Sequence, residues 1–147
     1  MPAATRTDAY AVFNFVVEID GIPAAMFSEA SGLASETELI EYRTGADKTN
    51  TVRKLPGLTK YPNIVLKRGI TRDLSLWTWR KAIVDGNPDR RNGTITLLDE
   101  TRQPVLRWRF VRGLPVKWEG PTLNAQANEV AIETLEIAHE GLELEAA

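Results

Sequence analysis

The side chains able to do chemistry are few. One histidine, His139, is the only candidate for a histidine general base, and there are no cysteines, so thiolate metal sites, a cysteine nucleophile and a disulfide framework are all excluded. Ser28, Ser31, Ser35 and Ser75 carry hydroxyls, but none lies in a GxSxG turn and the only base would stand in a late strand. No nucleophile–base–acid triad is supported. Glu36 and Glu38 alternate onto one strand face, as a pair of carboxylates for cation binding or acid–base work would, yet with 20 acids in the chain such pairs arise by chance. The ten glycines fit neither GxGxxG nor GxxxxGK[ST], so nothing cradles a nucleotide phosphate. The residues therefore predict no catalytic site, no metal site and no cofactor.

The elements that would carry these residues belong to an ordinary globular chain: 147 residues, 43% apolar, 26% charged. A chain of this length buries about two-thirds of its unfolded surface and needs no staple. Apolar runs stop at three or four residues, far short of the roughly 20 needed to cross a bilayer, and the first residues show no secretory h-region. Synthesis ending in the cytosol, with no membrane insertion, is the expectation.

Period-two alternation predicts about eight strands. Residues 10–20 place Phe13, Phe15, Val17 and Ile19 on one face, and residues 24–30 return after Gly21-Ile22-Pro23 to make a hairpin. Further strands fall at 36–43, 61–70, 94–98, 104–112, 116–120 and 130–139. In the 104–112 strand Leu106, Trp108 and Phe110 face one way and Arg107 and Arg109 the other, an arginine row that reads either as a solvated face or as the lining of a channel. Residues 71–86 predict one helix, with Thr71 as its cap and Gly86 and Pro88 ending it. It has two apolar sides: Leu74, Trp77 and Val84 on one, Leu76, Trp79 and Ile83 on the other. One packs on the sheet; the other is deeper core or a docking face, and Leu76, Trp79 and Ile83 are the docking candidates. Residues 44–57 form a polar connection too long to be idle, read as a surface excursion or an arm ordered by a partner. The expectation is one mainly-β domain over residues 1–147, a small antiparallel barrel or sandwich with one flanking helix.

Charge is unevenly placed. Net charge is −2, but the seven acids from Glu119 onward have no Lys or Arg among them, leaving residues 1–118 at +5. Spread so thinly and without aromatic interleaving, that excess does not predict specific nucleic-acid binding. Opposite signs at the two ends instead suit copies of one chain steering together. The inter-subunit candidates are Asp47, Lys48, Arg53 and Lys54 in the arm and Glu133, Glu136 and Glu140 in the acidic segment. His139 reads as a hydrogen-bonded structural or interface side chain.

Several runs carry a family resemblance: GIPAAMFSEASGL at 21–33, ETELIEYR at 36–43, KLPGLTKYPNIVLKRGI at 54–70, WTW at 77–79, PVKWEGPTLNA at 115–125 and NEVAIETLEIAHEGL at 128–142. Together they resemble inner tube proteins of contractile tails, first those of phage-tail-like extracellular contractile injection systems, and more distantly contractile phage tail tubes and the tube protein of type VI secretion. The resemblance implies hexameric rings of β-barrels stacked into a rigid tube inside a contractile sheath, with baseplate and spike proteins, a terminator or cap, and protein cargo in the lumen as partners. It implies assembly in the bacterial cytoplasm, within a particle released outside the cell. A tube-initiator subunit at the baseplate and a phage tail tube protein are alternatives within the resemblance. From a different class, a monomeric ligand-binding β-barrel is the rival.

Overall fold

The computed structural model describes residues 9–11, 14–46 and 51–147, and contains ten strands and one helix among them. In chain order these are β1 (Asn14–Ile19), β2 (Ile22–Met26), β3 (Glu29–Ser31), β4 (Glu36–Tyr42), β5 (Arg53–Lys60), β6 (Ile64–Gly69), α1 (Ser75–Val84), β7 (Arg91–Leu98), β8 (Pro104–Glu119), β9 (Ile132–Ala138) and β10 (Gly141–Ala146). β4 and β5 pair only with each other; the rest form one antiparallel sheet in the order β2-β1-β7-β8-β9-β6-β3, with β10 also beside β8.

The edge strands of that sheet, β2 and β3, are consecutive in the chain and only Phe27 and Ser28 lie between them. Three Cα steps span at most about 11 Å. The two edges are thus brought side by side and the sheet curls into a barrel-like shell, the arrangement that the mainly-β reading anticipates. The returning strand expected over 24–30 is broken at this point, because its two parts serve opposite edges.

β8 organises the rest. Its first half pairs with β7 on one side and β10 on the other, while its second half pairs with β9. The two strands expected at 104–112 and 116–120 are therefore one, bent where Arg112 takes φ 54° and its N–H bonds to the Asn92 side chain at 2.9 Å. Such a bulge lets one strand turn a corner without ending. Phe110 is wholly buried just before the bend, and a Cβ on Gly93 would come within 2.4 Å of its ring, one on Gly113 within 2.8 Å. Both positions exclude any side chain while that ring is in place.

The core gathers Val17, Ile19, Ile64, Leu66, Ile95, Phe110, Leu135 and Ile137 from alternate strand positions, with Leu76 and Trp79 from the helix. Two charges share this face. Arg68 and Glu133 are directly opposite on β6 and β9, 6% and 3% exposed, joined at 2.5 Å. The guanidinium also donates to the Asp73 backbone carbonyl at 3.2 Å and lies over the Phe27 ring, and the Trp118 indole N–H reaches Glu133 at 3.4 Å. The helix starts at Ser75 and not near Thr71: Asp73 accepts the Ser75 N–H at 3.0 Å, while Thr71 accepts only the N–H of Asp73. A short polar side chain ahead of the first turn satisfies an otherwise orphan donor, and here Asp73 is the nearer one.

Two outcomes are expected. Glu133→Ala leaves the buried Arg68 with only the longer, 3.4 Å contact to the Asp73 carboxylate, and should lower unfolding free energy by about 3 kcal/mol in denaturant titrations, whereas the apolar double replacement R68M/E133L should recover most of the loss. The turn between β7 and β8 is built on Asp99, whose carboxylate accepts the N–H groups of Gln103 and Thr101 and the Thr101 hydroxyl. The Gln103 N–H first, then the Thr101 hydroxyl, hold its pKa below the ordinary value of 3.8. The folded state thus binds that proton less readily than the unfolded chain, so the stabilisation is complete above the ordinary value and lost as pH falls through the folded one. Asp99→Ala should melt below wild type at pH 7, with the gap closing under acid.

Candidate assembly surfaces

The ribbon β4–β5 is the most exposed regular structure in the chain. Ile40 faces Leu55, Leu39 faces Pro56, Glu41 faces Lys54 and Tyr42 faces Arg53. An ion pair between Glu38 and Lys60 at 2.5 Å and a contact between the Thr37 and Thr59 hydroxyls at 3.1 Å lace its root. Leu39, Ile40, Tyr42, Leu55 and Leu58 are all exposed, Leu58 by 71%. The 44–57 connection expected from sequence is thus shorter, since residues 53–57 are strand and only its first part joins the two strands. An isolated two-stranded ribbon is marginal in water, and one carrying apolar side chains on both faces is built to be covered.

The individual candidates fall in different places. Asp47 and Lys48 lie outside the described residues. Arg53 and Lys54 are exposed at the far end of the ribbon. Glu133 is corrected from a subunit contact to the core: it shares the parity of Leu135 and Ile137 and is taken by Arg68. Glu136 is half-buried and accepts the Asn63 amide at 3.0 Å; Glu140 is exposed and paired with Arg112.

The acidic end is also less isolated than its composition suggests. Glu143 and Glu145 on β10 face Arg109 and Arg107 on β8, and the Glu145 carboxylate takes Arg109 at 2.9 Å and Arg107 at 3.7 Å. The arginine row is matched by the acids of the same protomer. β10 is a strand beyond those expected from sequence, and in it Gly141–Ala146 alternates Leu142 and Leu144 with Glu143 and Glu145.

The helix faces are reversed from the expectation. Leu76 and Trp79 are each 1% exposed and Ile83 is half-buried, whereas Leu74, Trp77 and Val84 point outward. Trp79 can go inside because its indole N–H donates to the Asp89 carbonyl at 2.7 Å and its ring carries the Arg91 guanidinium. Trp77 packs edge-on against Trp118, with centroids 5.0 Å apart, and stays 41% exposed. His139 spans two segments, its ring nitrogens 3.0 and 3.1 Å from the carbonyl oxygens of Gly141 and Pro62. Both are engaged structurally. Among the described residues no group of three or more His, Asp or Glu is placed to hold a metal ion, and no helix is long and apolar enough to cross a membrane.

Comparison with known proteins accounts for this geometry. The fold matches a chain from the sheath-tube complex of an extracellular contractile injection system (PVC, extended state) with TM-score 0.84, 23% identity and coverage of 95% of this chain and 93% of that one. It matches a chain of the anti-feeding prophage baseplate, 6-fold symmetrised, at 0.76 and 25%, covering 97% of each. Hcp1 from Flavobacterium johnsoniae shares the fold more distantly, at 0.61 and 14%, over 92% and 97%. No curated protein matches the sequence. The model of the family described as T4-like virus tail tube protein gp19 spans residues 11–143, nearly the whole chain. A tail tube protein is a structural subunit, in keeping with a molecule whose distinctive feature is an uncovered ribbon. The chain belongs to the T4-like virus tail tube protein gp19 family.

Proposed function

We propose that six copies close into a ring, and that rings stack into the rigid inner tube of a contractile injection particle, driven through a target envelope when the surrounding sheath contracts. The observation that carries this reading is the β4–β5 ribbon, exposed along its length and, among the described residues, paired with no other strand. Family membership supports the tube, and the chain at 25% identity from a sixfold baseplate supports the ring. The partners follow from the same likenesses: a sheath around the tube and a baseplate below it, together with a spike and a terminating cap, and cargo within the lumen. Assembly takes place in the bacterial cytoplasm before the particle is released. Asp47, Lys48, Arg53 and Lys54 meet acidic groups of adjacent subunits, with Glu136 and Glu140 among the acids still within reach of a neighbour.

The rival reading, a barrel with a small-molecule site, has less support. The interior is filled by Ile64, Leu66, Phe110, Leu135 and Ile137, all without exposed surface, where a binding barrel keeps a cavity.

Purified protein should pass from the 16.4 kDa protomer to rings and tubes as concentration rises, seen by light scattering and negative-stain microscopy. A single 16.4 kDa species at every concentration overturns the proposal. Deleting residues 47–52 should leave the circular dichroism spectrum unchanged, because so polar a run of sequence contributes little to a core, while abolishing stacking; normal tubes from the deletion would show that the arm is not an assembly element.

A further inference from the structure

Of the seven asparagines in the chain, Asn92 alone is followed by glycine. That dipeptide is open to a reaction that needs nothing but water. The Gly93 amide nitrogen bonds to the Asn92 side-chain Cγ, the bond from Cγ to Nδ2 breaks, and the Gly93 proton leaves with that nitrogen as ammonia. Water then opens the succinimide ring at either carbonyl, giving aspartate, or isoaspartate with the main chain rerouted through Cβ. Glycine favours the closure, since it has no Cβ to crowd the attacking nitrogen and the widest freedom of backbone angles.

The fold places this step in β7, at the bend of β8, and holds the two reacting groups apart. Asn92 is exposed, so water has access to it, while Gly93 is buried. The Asn92 main-chain carbonyl accepts the Asp20 N–H at 3.1 Å, and its side-chain oxygen accepts the Arg112 N–H at 2.9 Å. Gly93 stands opposite Ile19 of β1 and Phe110 of β8. Ring closure requires ψ of Asn92 to leave the extended range of a strand and the side chain to swing from Arg112 onto the Gly93 nitrogen. Both hydrogen bonds then break.

We propose that Asn92–Gly93 is a latent deamidation site, silenced by strand pairing and by the Arg112 N–H, so that it reacts only while the bend is open. Its two products differ in what they do to the shell. Aspartate keeps an oxygen on the Arg112 N–H, and a charged acceptor strengthens that bond. Isoaspartate adds a main-chain carbon immediately before Gly93, where there is no slack: a Cβ on Gly93 would already come within 2.4 Å of the Phe110 ring and 3.0 Å of the Glu18 carbonyl oxygen. The rest of β7 could not then keep register with both β1 and β8.

The full chain, held at mildly alkaline pH with and without guanidinium chloride, tests both halves. Peptide mapping by mass spectrometry follows loss of the Asn92 amide, and isoaspartyl methyltransferase labelling separates the two products; Asn92→Gln supplies the blank. Conversion should be about a hundredfold slower in native buffer, because the site reacts through opening. Equal rates in the two conditions would overturn the silencing. After removal of the denaturant, protein carrying aspartate should refold and melt like Asn92→Asp, while the isoaspartate fraction should stay unfolded or melt well below it. Isoaspartate protein that refolds to the wild-type melting temperature would overturn the claim that the bend cannot take the extra carbon.

Discussion

The buried pair of Arg68 and Glu133 is the constraint around which the rest is arranged. Removing two charges from water costs several kcal/mol each, recovered only when they meet in good geometry with their remaining hydrogen-bonding groups engaged. A one-residue slip between β6 and β9 would turn one charge outward and strand the other inside, so the pair pins register more firmly than any aliphatic contact could. Asp73 binds the start of the helix to the same guanidinium, Trp118 brings in the second half of β8, and Phe27 beneath it belongs to the two-residue link that closes the barrel. Register, helix docking and closure meet at one cluster. Apolar residues of similar size would serve stability as well, whereas only a charge pair penalises a slipped register.

Much of the shell was legible because alternation reports faces. Asn14–Ile19, Ile64–Gly69 and Ile132–Ala138 each show a buried parity and a wetter one, and the sequence pattern matches it. Alternation does not report partners, and this is where the reading fell short. Nothing local in 24–30 says that its halves join opposite edges, and Pro115 looks like a strand end until the register shift that accommodates it beside β9 is seen. The two faces of the helix are chemically alike, each with a leucine and a tryptophan; what separates them is the Asp89 carbonyl waiting for one indole, a tertiary fact. Glu133 did leave a trace. It and Arg68 are single charges on otherwise apolar parities of two strands, and two such anomalies are a signature of mutual burial.

Charge also looks different once the strands are paired. The acid-only end of the chain and the arginine row of β8 meet within the protomer, so part of the imbalance between the two ends of the sequence is met inside one copy. Exposed pairs of this kind contribute little stability individually, about 0–1 kcal/mol. They do remove like-charge repulsion among the last strands and leave the uncovered apolar ribbon as the dominant unmet demand of the surface.

The pocket in which Phe110 sits bears on how this chain can vary over generations. At about a quarter identity, most positions differ between it and the proteins whose fold it shares, yet that freedom is not evenly spread. The exposed side chains of the ribbon can be exchanged one at a time without a toll on the barrel. Gly93 and Gly113 can be left behind only if the aromatic ring between them shrinks in the same lineage, and every single step toward that exchange passes through an overpacked or hollow core. Drift is therefore channelled to the exposed surfaces and away from the bend that holds the shell together.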